Sequence, residues 1–434
     1  MVEVVRVETP RIGRRALVAT VLGNALEFYD FMTYSFFSVF IGKAFFPTNS
    51  DFASLLLSVA TFGIGFLTRP LGGILIGSYA DRAGRKPALL LTLALMAVGT
   101  LGIVLTPSYA SIGIVAPILL VLARLVQGLA LGGEVGPATA VLVEGAPPGR
   151  RSRYVSLQGA SQSAASMAAG IVGLVAGMAF GAQALASWAW RLPFAVGLVI
   201  IPIGLYLRRA LPETLEAPSE RRAAHIVGEV WREHRRSLVL VVLVGMCLTI
   251  STYVALYMTT YGQTTLGLSA RSSLLAPIVG GAITIPWALY SGHLCDRFGR
   301  RRVLIVSRTA LMVIYYPAFL FLTHERSTAA LIGVVSVLTI AGTPSAVAGV
   351  TVMAEIFPTH IRAAGMSLAY ALIVTLFGAT TQFVVAWLIG VTGDPLSPAY
   401  YVIVTSAISI GAMTLLPETR DILNLPSRSA AKAA

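Results

Sequence analysis

Of the 434 residues, 56% are hydrophobic and 12% charged, and the mean hydropathy is +0.80; a water-soluble domain, at about 25% charged, is excluded. The formal charge of +13 raises nucleic-acid binding, but the basic residues gather in short segments between apolar runs. That is the pattern of membrane topology and of attraction to anionic inner-leaflet lipid, so nucleic acid is set aside. Two separated cysteines, Cys247 and Cys295, and five unclustered histidines give neither a disulfide framework nor metal-ligand spacing.

A spanning helix takes about 20 mostly apolar residues. On that measure the chain predicts twelve crossings, near 16–42, 52–79, 87–106, 113–144, 154–180, 188–207, 238–262, 272–294, 303–323, 328–355, 364–390 and 398–416. The first begins behind a basic arm, is of full span length and carries Glu27 and Asp30, so it is expected to remain a span rather than be cleaved as a signal. Tyr154 to Trp190 contains no charge, and at about 1.5 Å per residue it is too long for one crossing. A turn is therefore expected near Gly181 to Ser187.

One charged phrase occurs twice, 215 residues apart: Gly77-Ser-Tyr-Ala-Asp81-Arg82-Ala-Gly84-Arg85-Lys86 and Gly292-His-Leu-Cys-Asp296-Arg297-Phe-Gly299-Arg300-Arg301. Its recurrence after equivalent apolar runs predicts a duplicated membrane domain. The expected division is a bundle of six helices over 1–210, a polar linker over 211–236, and a second bundle of six over 237–434. With the amino terminus inside, 26 of the 32 Lys and Arg fall in inner segments, Arg308 among them, which places both termini in the cytoplasm of a bacterial inner membrane. The short loops and tails leave little room for a signalling domain, and a monomer is expected.

The repeated phrase reads first as structure. A small residue at Gly77 permits close helix approach, Gly84 permits a tight turn, and Asp81 can face a helix N-terminus. Glu144 and Glu355 close the fourth and tenth helices, just before further arginines.

The two loops, the stretch Arg124-Leu-Val-Gln127-Gly128, and the Pro-Glu-Thr endings at Pro212 and Pro417 resemble the major facilitator superfamily over essentially the whole chain. Gly23-Asn24-Ala-Leu-Glu27-Phe-Tyr-Asp30-Phe and Thr68-Arg69-Pro70-Leu-Gly72 resemble the signatures of its metabolite:proton symporters. Ser50-Asp-Phe-Ala-Ser-Leu and Ser367-Leu-Ala-Tyr370 look closest to the citrate and tricarballylate branch. The resemblance implies an all-α membrane protein with two pseudo-symmetric bundles of six helices. It also implies a cytoplasmic gate in which Asp81 meets the eleventh helix and Arg85 meets Glu144, with Gly77, Arg82 and Gly84 shaping the loop. The second copy, Asp296, Arg297, Gly299 and Arg300 with Glu355, follows the same logic.

Charge retained at mid-membrane costs about 2.5–3.5 kcal/mol per residue, so it needs a partner or a task. The sequence places Glu27 and Asp30 in the first helix, Arg69 in the second, and Arg124 and Glu134 in the fourth, all in the amino-terminal half. Pairs such as Glu27 with Arg124, or Asp30 with Arg69, would serve as internal ion pairs that organise the bundle. The functional reading rests on two carboxyls one turn apart that cannot both ionise cheaply, which makes one of them a usable proton carrier. Glu27 and Asp30 are the expected coupling pair, with Glu134 third.

Buried arginine forks suit an anion with two or more carboxylates. Arg69 and Arg124 are the expected anchors, with Asn24, Gln127, Gln158, Gln162, Tyr253, Tyr257, Tyr370 and Gln382 as neutral contacts. Helix five lacks the glycine-proline string of the superfamily's drug antiporters, which favours symport. The expected activity is proton-coupled uptake of a di- or tricarboxylate such as citrate or tricarballylate by alternating access. No cofactor is called for; protons are the coupling ion, and sodium is the other ion that the residues leave open. Other metabolites, namely 2-oxoglutarate, shikimate or an osmolyte such as betaine or proline, form the second reading, and a membrane enzyme or receptor the third.

Overall fold

The computed structural model describes residues 14–83, 85–132, 135–147, 149–209, 228, 230–358 and 361–419. Side chains are described for these apart from 14–16, 19, 77–78, 80–86, 89, 135–138, 200–201, 203–209 and 363. Among the described residues every regular element is helical. In chain order the helices are α1 Arg14–Phe36, α2 Ser38–Phe45, α3 Asp51–Leu67, α4 Arg69–Ala83, α5 Arg85–Leu105, α6 Tyr109–Ile112, α7 Val115–Leu131, α8 Val135–Glu144, α9 Arg151–Ser187 and α10 Leu192–Arg209. They continue as α11 Arg235–Thr264, α12 Ala270–Ser273, α13 Leu275–Phe298, α14 Arg300–Glu325, α15 Thr328–Glu355, α16 Arg362–Ile373, α17 Ala379–Thr392 and α18 Ser397–Thr414. A five-residue π-helix, Val374–Gly378, joins α16 to α17.

These pieces trace the expected crossings, with breaks that hydropathy does not show. The first crossing pivots at Phe37 between α1 and α2, and the second at Thr68 between α3 and α4. The long uncharged stretch breaks at Gly181, whose φ of 81° interrupts α9 where a turn was expected. Only glycine takes that backbone without steric cost.

Close helix contact follows from small residues, because without a hydrophobic force between spans the helices gain from van der Waals packing. A Cβ at Gly128 would lie 1.8 Å from the Gly65 carbonyl oxygen, and one at Gly132 would lie 1.9 Å from that of Arg69. The second and fourth crossings thus meet backbone to backbone, and the Thr68 hydroxyl donates to the Leu125 carbonyl (2.9 Å). Between the halves, a Cβ at Gly281 would meet the Ser163 carbonyl at 2.7 Å, and one at Gly292 the Ser152 carbonyl at 2.8 Å. α9 and α13 therefore pack along their length as the main seam of the molecule.

Candidate functional site

Contacts between the halves close the seam at both ends. At the end carrying the repeated loops, the carboxylate of Asp296 on α13 accepts the backbone N–H groups of Ser152 (3.0 Å) and Arg153 (3.2 Å). These are unpaired donors in the first turn of α9, where the helix dipole also favours an anion. Arg300 approaches Asp296 at 3.4 Å and donates to Glu355 at 3.1 Å. Glu355 also accepts from the Thr419 hydroxyl (2.6 Å), with Arg151 at 3.9 Å.

Gly299 has a φ of 91°, and Glu418 stands against it, capping the start of α14 through the N–H groups of Arg300 and Arg301. This explains the glycine of the second phrase. Arg297 is exposed. Across the seam Arg362 donates to Glu144 at 3.0 Å. Gly84 and the side-chain surroundings of Gly77, Asp81, Arg82 and Arg85 lie outside the described residues, as does Glu134.

At the opposite end the seal is made of neutral polar groups. Gln382 donates to the Ser35 hydroxyl (2.6 Å), and Ser38 and Thr260 share a hydrogen bond of 2.9 Å. Gln382, expected as a substrate contact, is therefore engaged in the seal.

Between the two ends lies a cavity of about 350 Å³, the size of a small-ligand site. Its lining includes Gln158 and Gln162 of α9, Tyr253 of α11 and Tyr370 of α16, all expected contacts. Asn24 lies behind it, donating to Ser161 at 2.8 Å and accepting from Gln162 at 3.5 Å. Tyr257 does not line the cavity; one turn beyond Tyr253 it belongs to a buried apolar cluster that holds Val254, Tyr261 and Phe319 together with Leu55 and Val59 of α3.

Arg69 and Arg124 do not line the cavity either. The Arg69 guanidinium stacks 4.1 Å from the centre of the Phe66 ring and shares a hydrogen bond with Tyr370, so it stands behind the cavity wall. Arg124 lies 4.4 Å from the Tyr34 ring centre and donates to Gln127 (2.7 Å) and to the Phe62 carbonyl (3.4 Å). Phe31, Phe62, Phe66 and Tyr253 pack around the two forks with centroids 4.6–6.0 Å apart, edge to face except for the tilted Phe31–Phe62 pair. Their depth in the apolar runs marked both arginines as mid-membrane charges, but it could not show that the aromatic cluster fills the space in front of them.

Asp30 belongs to a network in the same half. Its Oδ2 accepts from Gln127 (2.9 Å) and from Thr100, and Gln127 donates to Thr100 as well (2.9 Å). One amide thus links the carboxyl of Asp30 to the guanidinium of Arg124. Among the described residues Asp30 Oδ1 has no hydrogen-bond partner, and it faces Gly197, where a Cβ would come within 2.8 Å. Glu27 is buried and lines the same small cleft as Asp30. Thr100 carried no signal in the sequence, since a lone threonine in an apolar helix commonly bonds its own backbone, and here too the Met96 carbonyl lies within reach as the alternative acceptor.

Arg308 changes the charge map. Counted among the inner basic residues, it lies eight residues inside α14, about 12 Å from the helix start, is 1% exposed, and lines the cavity. Mid-membrane charge is therefore not confined to the amino-terminal half. The pattern was available: Arg300, Leu304, Arg308, Leu311, Tyr315, Phe319 and Leu322 form one buried stripe at helical spacing. The neighbouring loop arginines drew Arg308 into their company.

The sequence pattern of the Major Facilitator Superfamily matches residues 20–380. The chain belongs to this superfamily. It is 36% identical, over 418 residues, to a citrate-proton symporter of Salmonella typhi, covering 94% of this chain and 96% of that protein. It is 33% identical over 439 residues to the glycine betaine/proline/ectoine/pipecolic acid transporter OusA of Dickeya dadantii, covering 97% and 86% of the two chains. The crystal structure of a D-xylose-proton symporter shares its fold, with a TM-score of 0.73 over 93% of this chain and 98% of that one at 20% identity. This major facilitator protein is thus a multi-pass membrane transporter and not an enzyme.

Proposed function

We propose that the protein is a proton-coupled symporter that takes up a di- or tricarboxylate such as citrate or tricarballylate. The observation that carries this reading is the pairing of a central cavity between the halves with a separate buried carboxyl, Asp30, joined through Gln127 to Arg124. A symporter needs both parts, one for each co-transported species, and transporter folds hold substrate near the midplane between their repeats. The likeness to the citrate-proton symporter supports the substrate class.

In this reading the proton sits on Asp30, with Oδ1 free to hold it while Oδ2 keeps its two donors; Glu27 is the second member of the pair. Loss of the proton leaves a full charge beside Gln127, which tightens the amide on Asp30 and, by polarising its carbonyl, on Arg124 as well. Arg124 packs against Phe31 and Phe62, and through them against Tyr253 in the cavity wall. Arg69, behind Tyr370, reaches the cavity when that tyrosine turns. Residues 1–210 rock against 237–434, with the repeated loops on the cytoplasmic side and both termini inside. Asp296 and the Arg362–Glu144 pair then latch the inner gate.

Purified protein in liposomes should accumulate citrate or tricarballylate when the outside is acid. Uptake that persists unchanged after the pH gradient and voltage are collapsed would refute proton coupling. The aromatic lining and the likeness to the osmolyte transporter favour betaine or proline as the second reading; stabilisation by these and not by carboxylates would select it.

A further inference from the structure

We infer that Arg308 is the carboxylate anchor contributed by the carboxy-terminal half. This rests on the carboxylate reading above and names the residue that meets the anion. Among the described residues Arg308 is the one charged side chain in the cavity lining. Its Nη1 donates to the Ser251 hydroxyl at 2.7 Å, and among the described residues its Nε has no partner and no carboxylate lies within 4 Å.

The acids on the neighbouring helices are engaged elsewhere: Asp296 by Arg300 and the start of α9, and Glu355 by Arg300 and Thr419. A buried guanidinium without a counter-charge is costly, and the protein meets that cost in the wall of the cavity. The missing charge must therefore come from the cavity's occupant. A planar fork with a free Nε edge fits a carboxylate in a bidentate manner. Gln158 and Gln162 line the same cavity from the amino-terminal half. An anion held by Arg308 and by these amides bridges the two halves, so occupancy and closure become one event.

The test is binding of citrate, tricarballylate and glutarate to purified wild type, Arg308→Gln and Arg308→Lys, read by titration calorimetry and thermal shift. Glutarate has the backbone of tricarballylate without its middle carboxylate. Arg308→Gln should bind the tricarboxylates about 10- to 100-fold more weakly, with a reduced preference for tricarballylate over glutarate. Arg308→Lys, which keeps the charge but not the fork, should fall between. Without ligand, Arg308→Gln should melt no lower than wild type, because an unpaired buried charge has been removed.

Wild type that binds tricarboxylates while both variants bind them within twofold, with the preference intact, would overturn the inference and leave the carboxylate reading standing. Loss of thermal stability with unchanged affinity would mark Arg308 as structural and overturn it equally. If wild type binds none of the three acids, the carboxylate reading fails and the inference with it.

Discussion

Asp296→Asn tests the latch at the loop end most directly. The wild-type carboxylate accepts two backbone N–H groups of α9, at 3.0 and 3.2 Å, and lies 3.4 Å from Arg300. Hydrogen bonds to charged groups contribute about 1.5–3 kcal/mol each, and the anion at the helix N-terminus adds about 0.3–1 kcal/mol. Asparagine is nearly the same size and keeps one acceptor oxygen, so the loss is one charged bond plus the weakening of the other, about 2–3 kcal/mol. These contacts cross the seam and exist only while it is closed, so the whole loss shifts the population toward opening at this end, by about 30- to 150-fold. Val155, buried and in the cavity lining one turn into α9, reports that opening. In a background with Cys247 and Cys295 replaced by Ala, Val155→Cys should react with a water-soluble maleimide at least tenfold faster when Asp296→Asn is added. A rate within twofold of the parent would refute the latch.

Asp30→Asn should abolish concentrative uptake driven by an acid exterior, bringing accumulation to equilibrium, while counterflow exchange of substrate continues; accumulation that still follows the pH gradient would remove Asp30 from the coupling step. Gly299→Ala combines a φ of 91° with a Cβ 2.7 Å from Glu418 Oε2. Its strain of about 1–3 kcal/mol should lower the thermal midpoint, and a midpoint equal to wild type would show that the turn relaxes freely.

The membrane class, the crossings and the doubling of the repeated loop were legible in the chain because each depends on local composition. Apolar length decides what can span, and glycine decides where a backbone can turn. The expected bounds of α15, 328–355, coincide with the helix itself. The motif likewise carried the local reason for Gly299 and a carboxylate facing a helix N-terminus. The break at Phe37 was not legible, since it lies inside a continuous apolar run, whereas the one at Thr68 stands directly before Arg69 and Pro70.

The candidate site was legible by residue type and only partly by position. The sequence by itself determined which residues are too polar to lie idle in a membrane: Asn24, Glu27, Asp30, Arg69, Arg124 and Gln127 are all buried. Only the tertiary structure decided which of them meet. It joined Asp30 to Arg124 through Gln127, set Arg69 and Arg124 behind aromatic rings, moved Gln382 into the seal, and turned Arg308 from a loop charge into the cation of the cavity. The physical reason is that periodicity describes one helix about its own axis. What a face looks upon is set by neighbours far away in the chain, and so by how closely glycine lets their backbones approach.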